Sequence, residues 1–193
     1  TETPVTLADG TVVSLRAPGY SFADPAYGPP GEGLMLSPRI APQMIGLGLL
    51  EAIPAADILA LADPDDTDQD GISGRPQIVP SVEYGTPMLG RFGLKAGAPT
   101  VREQSAGAFA GDMGLSTPLH PAPWGDCTTG QPSRIGAPHG QEPGIRDGLE
   151  VDGPSLDLVT FYSRNLGVPE RRKLADPQVL RGKEVLYPTG CQS

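Results

Sequence analysis

The pattern of hydrophobic and polar positions predicts short helices joined by long connections, with a few short strands. Residues 5–17 place two β-favouring runs on either side of Asp9 and Gly10. This dipeptide accepts the positive φ angles of a tight turn, so we predict a β-hairpin there. Between residues 77 and 94, β-branched residues are mixed with Pro and Gly at short intervals, which predicts short extended segments.

The most apolar stretch is MIGLGLLEAI at residues 44–53. Its large side chains occupy the whole circumference of a helix, which predicts a helix that is buried on every side. Gly46 and Gly48 permit close approach of a neighbouring element. Pro54 ends this helix and is typical of the start of the next one, which we predict over residues 55–62.

Three later helices are predicted from their end signals. Glu103 lies three residues after Thr100 and completes a capping box with it, which predicts a helix over residues 101–112. The last helix has Pro177 at its first position and leads towards Cys191. The N-cap residues predicted for the three helices are Thr100, Asp152 and Asp176.

Composition adds a loop-rich character to this picture. The 26 Gly and 23 Pro among 193 residues are spread as punctuation between apolar runs, which argues for a folded chain instead of a low-complexity one. Residues 120–144 form one aperiodic segment, and loops of that length are usually functional or flexible. We predict a mainly α fold with a minor β component (α+β), in which a cofactor or ion supplies part of the interior.

Charge and hydropathy exclude two classes of partner. The formal charge is −9, with 23 acidic against 14 basic residues, and the densest basic cluster is ERRK at 170–173, so nucleic acid is not expected to bind. No run of 18 apolar residues occurs, so no membrane-spanning segment is predicted. The first residue, Thr1, fits a processed secreted protein and an excised piece equally well.

An acidic loop, DPDDTDQDGISG at 63–74, is a candidate calcium site. Asp66, Asp68 and Asp70 alternate and a glycine follows, as at the start of an EF-hand loop, where alternate carboxylates converge on one hard cation. The carbonyl of Ile72 is the next predicted ligand.

The loop departs from that motif at its closing position, which is occupied by Gln77 instead of an acid. The missing charge must then come from elsewhere, and the candidates are Asp63, Asp65 and Glu83. The alternative is a solvated acidic loop that binds no ion.

The closing segment RGKEVLYPTGCQS, at 181–193, raises the possibility of haem chemistry. A c-type haem is attached through C-x-x-C-H, and Cys191 with the two residues after it matches the first three positions of that motif. A single cysteine means little, but the preceding residues resemble the segment that leads into haem attachment in bacterial cytochromes c.

Longer strings extend the resemblance over nearly the whole chain, which resembles the family of bacterial dihaem c-type oxidoreductases labelled peroxidases or thiol oxidoreductases. The similar stretches are LSPRIAPQMIGLGLLEAIP at 36–54, ADPDDTDQDGISGRP at 62–76, GRFGLKAGAPTVREQSAGAFAGDMG at 90–114 and LVTFYSRNLGVPERR at 158–172. The resemblance implies a periplasmic or secreted enzyme with two haem c groups and cytochrome c-like haem domains. It implies that residues 1–148 are an inter-haem region, with the hairpin, buried helices and acidic loop. Residues 149–193 are then the start of the second haem domain, which stops inside its attachment motif.

The resemblance also implies site residues. Cys191 is the first cysteine of the incomplete haem motif, and Met113, after the GAFAGD helix, is a candidate axial ligand or haem contact. The alternative is that Met113 fills the core. His120 is a second ligand candidate, although both it and His139 lie among prolines and read equally as surface histidines.

Two further residues in the aperiodic segment have two interpretations each. Cys127 either pairs with Cys191 or remains a thiol. Trp124, the sole tryptophan, either mediates electron transfer between haems or anchors the loop by packing.

The leading functional interpretation is therefore a portion of a periplasmic dihaem oxidoreductase that transfers electrons or reduces peroxide, with a redox protein or small electron donor as partner. Because no complete C-x-x-C-H lies in the 193 residues, the chain by itself is expected to be inactive. The alternatives are an electron-transfer module without turnover and a calcium-stabilised, non-catalytic binding domain.

Overall fold

The computed structural model describes residues 1–25, 29, 33–125, 127 and 132–189. Within these residues the fold is α+β, with five α-helices and two two-stranded antiparallel sheets. The elements are β1 (Glu2–Thr6), β2 (Val12–Arg16), α1 (Leu47–Ala52), α2 (Ala55–Leu59), β3 (Ile78–Pro80), β4 (Pro87–Leu89), α3 (Val101–Gly111), α4 (Gly153–Arg164) and α5 (Pro177–Leu186), with a 3₁₀ turn at Arg146–Gly148.

The chain divides into two compact units, Thr1–Ile40 and Ala41–Ser193. The first contains the predicted hairpin, in which β1 and β2 pair with Thr6 opposite Val12. Gly10 adopts a φ of 85°, and the Asp9 carboxylate accepts a hydrogen bond from the Thr11 N–H at 2.9 Å, so the turn forms where the sequence predicts it. The side chains of both strands are largely exposed.

The core of the second unit lies where α3 packs against α4, with α1 contacting both helices. Ala106, Val151 and Leu156 are buried at its centre. Partly buried apolar side chains pack around them, namely Phe109, Leu115 and Leu119. The predicted division between residues 148 and 149 stays a prediction, and α4, which follows that point, packs on α3, which precedes it.

The prediction that the helix of residues 44–53 is buried on every side is wrong. α1 is shorter than predicted and has no buried residue, and Leu49 is 68 % exposed. One face does approach α4 closely, because a Cβ added at Gly48 would clash with the carbonyl oxygen of Arg164. An apolar circumference shows that a helix can be buried, but it does not show how many of its faces find a neighbour.

The capping box predicted at α3 forms only in its first half. The Thr100 hydroxyl accepts a hydrogen bond from the Glu103 N–H at 3.0 Å, as an N-cap does. The Glu103 carboxylate does not return to the N-cap; it accepts hydrogen bonds from the Ser81 hydroxyl and, at 2.9 Å, from the Val82 N–H. This buried glutamate therefore connects α3 to the turn between β3 and β4.

The other two predicted N-caps are confirmed. Asp152 accepts from the Ser155 N–H and Asp176 from the Gln178 N–H, both at 2.9 Å. α5 begins at its proline as predicted, but none of its residues is buried.

A single carboxylate connects the three packed helices. Glu51, at the end of α1, accepts a hydrogen bond from the Val101 N–H at 2.8 Å and forms an ion pair with Arg164 at the end of α4. Burial by itself raises the pKa of Glu51, but the hydrogen bonds from Arg164 and Val101 outweigh that effect and hold the pKa below its ordinary value. Arg91 donates to the α1 carbonyl of Leu50 at 2.8 Å and so satisfies the end of that helix.

Candidate functional site

The aperiodic segment between α3 and α4 is a long loop whose two ends are tied together. The Glu150 carboxylate accepts hydrogen bonds from the Ser116 N–H at 2.8 Å, the Ser116 hydroxyl at 3.1 Å and the Gly140 N–H at 2.8 Å. The Val151 N–H donates to the Ser116 carbonyl at 3.0 Å. These contacts close the loop at its base, next to the core.

Electrostatics keep that closing carboxylate ionised. Burial by itself raises the pKa of Glu150, but the hydrogen bonds from Ser116 and Gly140 together outweigh it, and the pKa lies below its ordinary value of 4.5. His139 lowers it further through its positive charge when protonated. Glu150 therefore acts as a charged acceptor at neutral pH.

Trp124 is held firmly inside the loop. Its indole N–H donates to the Ala137 carbonyl at 3.0 Å, and its ring meets the His139 ring edge-on, with 5.5 Å between the ring centroids. A Cβ added at Gly125 would clash with the Ala110 carbonyl, so the loop backbone lies directly on the end of α3. Only glycine allows this approach, and its φ of 58° lies in the region that favours glycine.

A cavity of about 300 Å³ lies between the end of α3 and this loop. Its lining combines small residues with one thioether, one indole, one thiol, one carboxylate and one guanidinium. The lining residues are Ala110, Gly111, Asp112, Met113, Gly114, Trp124, Cys127 and Arg134. Met113 is 60 % exposed and therefore is not core filler.

The structure brings three of the residues singled out from sequence to this cavity: Met113, Trp124 and Cys127. The histidines lie elsewhere. His120 is half-buried in a tight turn with Thr117, and His139 contacts the indole edge-on without lining the cavity. Among the described residues Cys127 has no disulfide partner. The predicted role of Cys191 falls outside the part of the chain that the structure describes.

Sequence reasoning missed Arg134 as a lining residue. The signal was present, because Arg134 is the only Lys or Arg between residues 103 and 145. An isolated cation in a long aperiodic loop is a stronger pointer to an anionic contact than one in a mixed charged surface.

The donor set fits one side of a haem but not its covalent attachment. A methionine thioether is an established axial ligand of haem iron, an indole packs on flat apolar rings, and a guanidinium binds carboxylates. Attachment needs C-x-x-C-H, whereas Cys127, the cysteine of the cavity, begins the string CTTGQ. The cavity side chains are thus suited to form one wall of a haem pocket and to supply an axial ligand.

The acidic loop brings together a group that differs by one residue from the predicted set. Carboxylate oxygens of Asp63, Asp66 and Asp68 all lie within 4.8 Å of one another. Asp70 is not in this group, and Asp63 joins it from before the alternating positions, as one of the residues that the sequence named for the missing charge.

Hydrogen bonds within the loop already use these carboxylates. Asp63 accepts from the Thr67 N–H at 2.8 Å, and this backbone hydrogen bond is the main cause that lowers the pKa of Asp63. Asp66 accepts from the Gly71 N–H at 3.1 Å. Asp70 accepts from the Ile72 N–H at 2.7 Å. An acidic loop stabilised by its own backbone is therefore a sufficient explanation of these residues, and a bound calcium ion stays a prediction.

Comparison with known proteins places the chain in a class. Residues 1–193 match the family described as Di-haem oxidoreductase, putative peroxidase. Because the match covers the whole sequence, the chain belongs to this family, and the resemblance seen in its sequence is confirmed. The family name implies haem as the cofactor. No curated protein and no solved structure matches the chain significantly.

No helix in the described ranges is both long and apolar enough to cross a membrane.

Proposed function

We propose that this chain is a portion of a periplasmic dihaem c-type oxidoreductase, in which it supplies the wall of one haem pocket and Met113 as an axial ligand. The observation that carries the proposal is the position of Met113, which is largely exposed at the end of α3 and lines the same cavity as Trp124. A long, exposed thioether beside an indole is costly to leave in water, and it is well suited to a soft metal centre next to an apolar ring.

The remaining residues hold that ligand in place. Gly125 seats the loop on the end of α3, the indole hydrogen bond fixes Trp124, and Glu150 closes the loop base. Together these contacts fix the position of the loop against the end of α3. The haem itself supplies the redox chemistry when bound, and the protein tunes it through the axial ligand and the polarity of the pocket.

A methionine substitution tests the axial role. In the product of the complete gene, matured with haem c, Met113→Ala should abolish the charge-transfer absorption of methionine-ligated ferric haem and lower the reduction potential of that haem. The matched control is Met35→Ala, because Met35 is 91 % exposed and does not line the cavity. An unchanged spectrum and potential in Met113→Ala would rule out the ligand role.

Turnover separates the two redox alternatives. A peroxidase oxidises a reduced electron donor in step with peroxide consumption, whereas an electron-transfer module exchanges electrons without consuming peroxide. The same holoprotein, isolated from the periplasmic fraction, serves for both assays. Haem protein found only in the cytoplasm would contradict the proposed location.

Calcium binding by the acidic loop is tested separately. If the loop binds the ion, calorimetric titration with Ca²⁺ should give a saturable signal that Asp66→Asn abolishes, because this removes one of three convergent carboxylates. Asp65→Asn is the matched control, since Asp65 lies in the same loop but outside the convergent group. The absence of a signal in the unmodified chain would leave the self-bonded acidic loop as the explanation.

A further inference from the structure

Arg134 is half-buried, and among the described residues its guanidinium has no ionic partner. It lines the cavity, and no carboxylate within the described ranges lies at ion-pair distance from it, although Asp112 lines the same cavity. Removing a cation partly from water without a counter-charge is unfavourable. The guanidinium lies beside the end of α3, because a Cβ added at Gly114 would be 2.8 Å from its Nη2 atom. An anion in the cavity would therefore have a cation within reach.

The rest of the cavity favours a flat apolar body attached to that anion. The indole of Trp124 is fixed by its hydrogen bond to the Ala137 carbonyl, so its ring presents a rigid surface. Ala110, Gly111 and Gly114 contribute little side-chain bulk to the part of the wall that they form at the end of α3. A volume of about 300 Å³ accommodates one edge of a large ring system, with the remainder lying outside.

We propose that this cavity binds the carboxylate-bearing edge of a tetrapyrrole, with Arg134 paired to a propionate and Trp124 packed against the ring. The choice of a tetrapyrrole among flat carboxylates rests on the proposed function. Arg134 is then a positioning residue, which sets the orientation of the ring by binding its acidic edge. A guanidinium suits this task because its planar donors match a carboxylate in a bidentate manner.

The single tryptophan provides a direct measurement, because all indole fluorescence of the chain comes from Trp124. Metal-free protoporphyrin IX should quench this fluorescence saturably. Its dimethyl ester, which has the same ring but no carboxylates, should bind about tenfold more weakly, as expected for the loss of one partly desolvated ion pair. In Arg134→Gln the ratio of the affinity for the free acid to the affinity for the ester should fall to about one. In Arg134→Lys this ratio should lie between that value and the ratio of the unmodified chain.

The control variant is Arg39→Gln, which removes a cation of the first unit that does not line the cavity and should keep the full preference. Equal binding of acid and ester by the unmodified chain would overturn the proposal, and so would absence of quenching. Displacement of the porphyrin by acetate at similar concentrations would also overturn it, since the site would then accept any carboxylate. If circular dichroism shows that Arg134→Gln does not fold, the proposal is still tested by the ratio of acid to ester affinity, measured in the unmodified chain and in Arg134→Lys.

The outcome is distinguishable from that of the proposed function. The probe contains no iron, so Met113 cannot act as its ligand, and Met113→Ala should retain the preference for the free acid. A negative fluorescence result with a positive Met113 effect in the holoprotein would remove only the role of Arg134. The reverse pattern would remove the axial ligand and keep the propionate site.

Discussion

At the scale of single residues, buried and half-buried carboxylates connect distant parts of this chain. Glu51, Glu103 and Glu150 each accept backbone N–H groups from another segment. A carboxylate that accepts such hydrogen bonds binds them more strongly when it is charged than when it is protonated. The stability of the second unit should therefore depend on the ionisation of Glu51 and Glu150, whose pKa values these hydrogen bonds lower.

Glu150→Gln tests this dependence at the loop base. The substitution should lower the free energy of unfolding at pH 7 by about 1–2 kcal/mol, because a neutral amide is a weaker acceptor for Ser116 and Gly140. The folded-state pKa of Glu150 lies below its ordinary value, so its stabilising contribution is fully present above that ordinary value and is lost as the pH falls through the folded-state pKa. The difference in unfolding free energy between the parent and the variant, measured by urea denaturation, should thus become smaller below about pH 4.5.

Glu142→Gln is the matched control for this experiment, because Glu142 is exposed and belongs to the same loop. It should change the unfolding free energy by less than about 0.5 kcal/mol at either pH. A gap for Glu150→Gln that stays constant from pH 7 to pH 3.5 would contradict the assignment of a charged acceptor.

At the scale of elements, helix packing in the second unit depends on small residues. α1 and α4 approach so closely that Gly48 has no room for a Cβ against the Arg164 carbonyl. Gly107, in α3, has open space around the same position. These two helical glycines therefore play different roles, although both lie in apolar helical sequence.

Alanine substitutions separate these roles. Gly48→Ala should lower the free energy of unfolding by about 2 kcal/mol or more, because the clash is with backbone and the helices must move apart. Gly107→Ala should raise it by about 0.5–1 kcal/mol, since alanine loses less conformational entropy in a helix. Thermal unfolding of both variants by circular dichroism measures the difference, and a Gly48→Ala variant as stable as its parent would refute the close packing.

At the scale of the whole molecule, the two units differ in how many residues their secondary-structure elements bury. The hairpin of the first unit has no buried residue, whereas α3 of the second has five. An isolated two-stranded hairpin is marginally stable in water, and amides protected only by such a hairpin open easily. The prediction that a cofactor supplies part of the interior of this loop-rich fold stays a prediction.

Hydrogen exchange measures this difference directly. The amides of β1 and β2 should exchange at least about tenfold faster than those in the middle of α3, because opening the hairpin exposes little buried surface. α5, which also lacks buried residues, is the internal control and should exchange fast as well. Equal protection of the hairpin and α3 would contradict the lower stability expected of the hairpin.

The sequence by itself determined the features that depend on near neighbours. The N-caps Thr100, Asp152 and Asp176 and the turn at Gly10 were all predicted correctly, because each uses a contact or a backbone angle within about three residues. Long, unusual sequence strings also sufficed to identify the family, whose match covers residues 1–193.

Tertiary structure alone decided which groups meet across long separations. The Glu103 carboxylate turns to Ser81 instead of its own N-cap, and one face of α1, not all of them, finds a neighbour. Arg134 and Met113 line the same cavity although a long stretch of loop separates them in the chain, and Glu150 holds the base of that loop. The physical reason is that local patterns specify what a segment can form, whereas its partners depend on the packing of segments that are far apart in the chain.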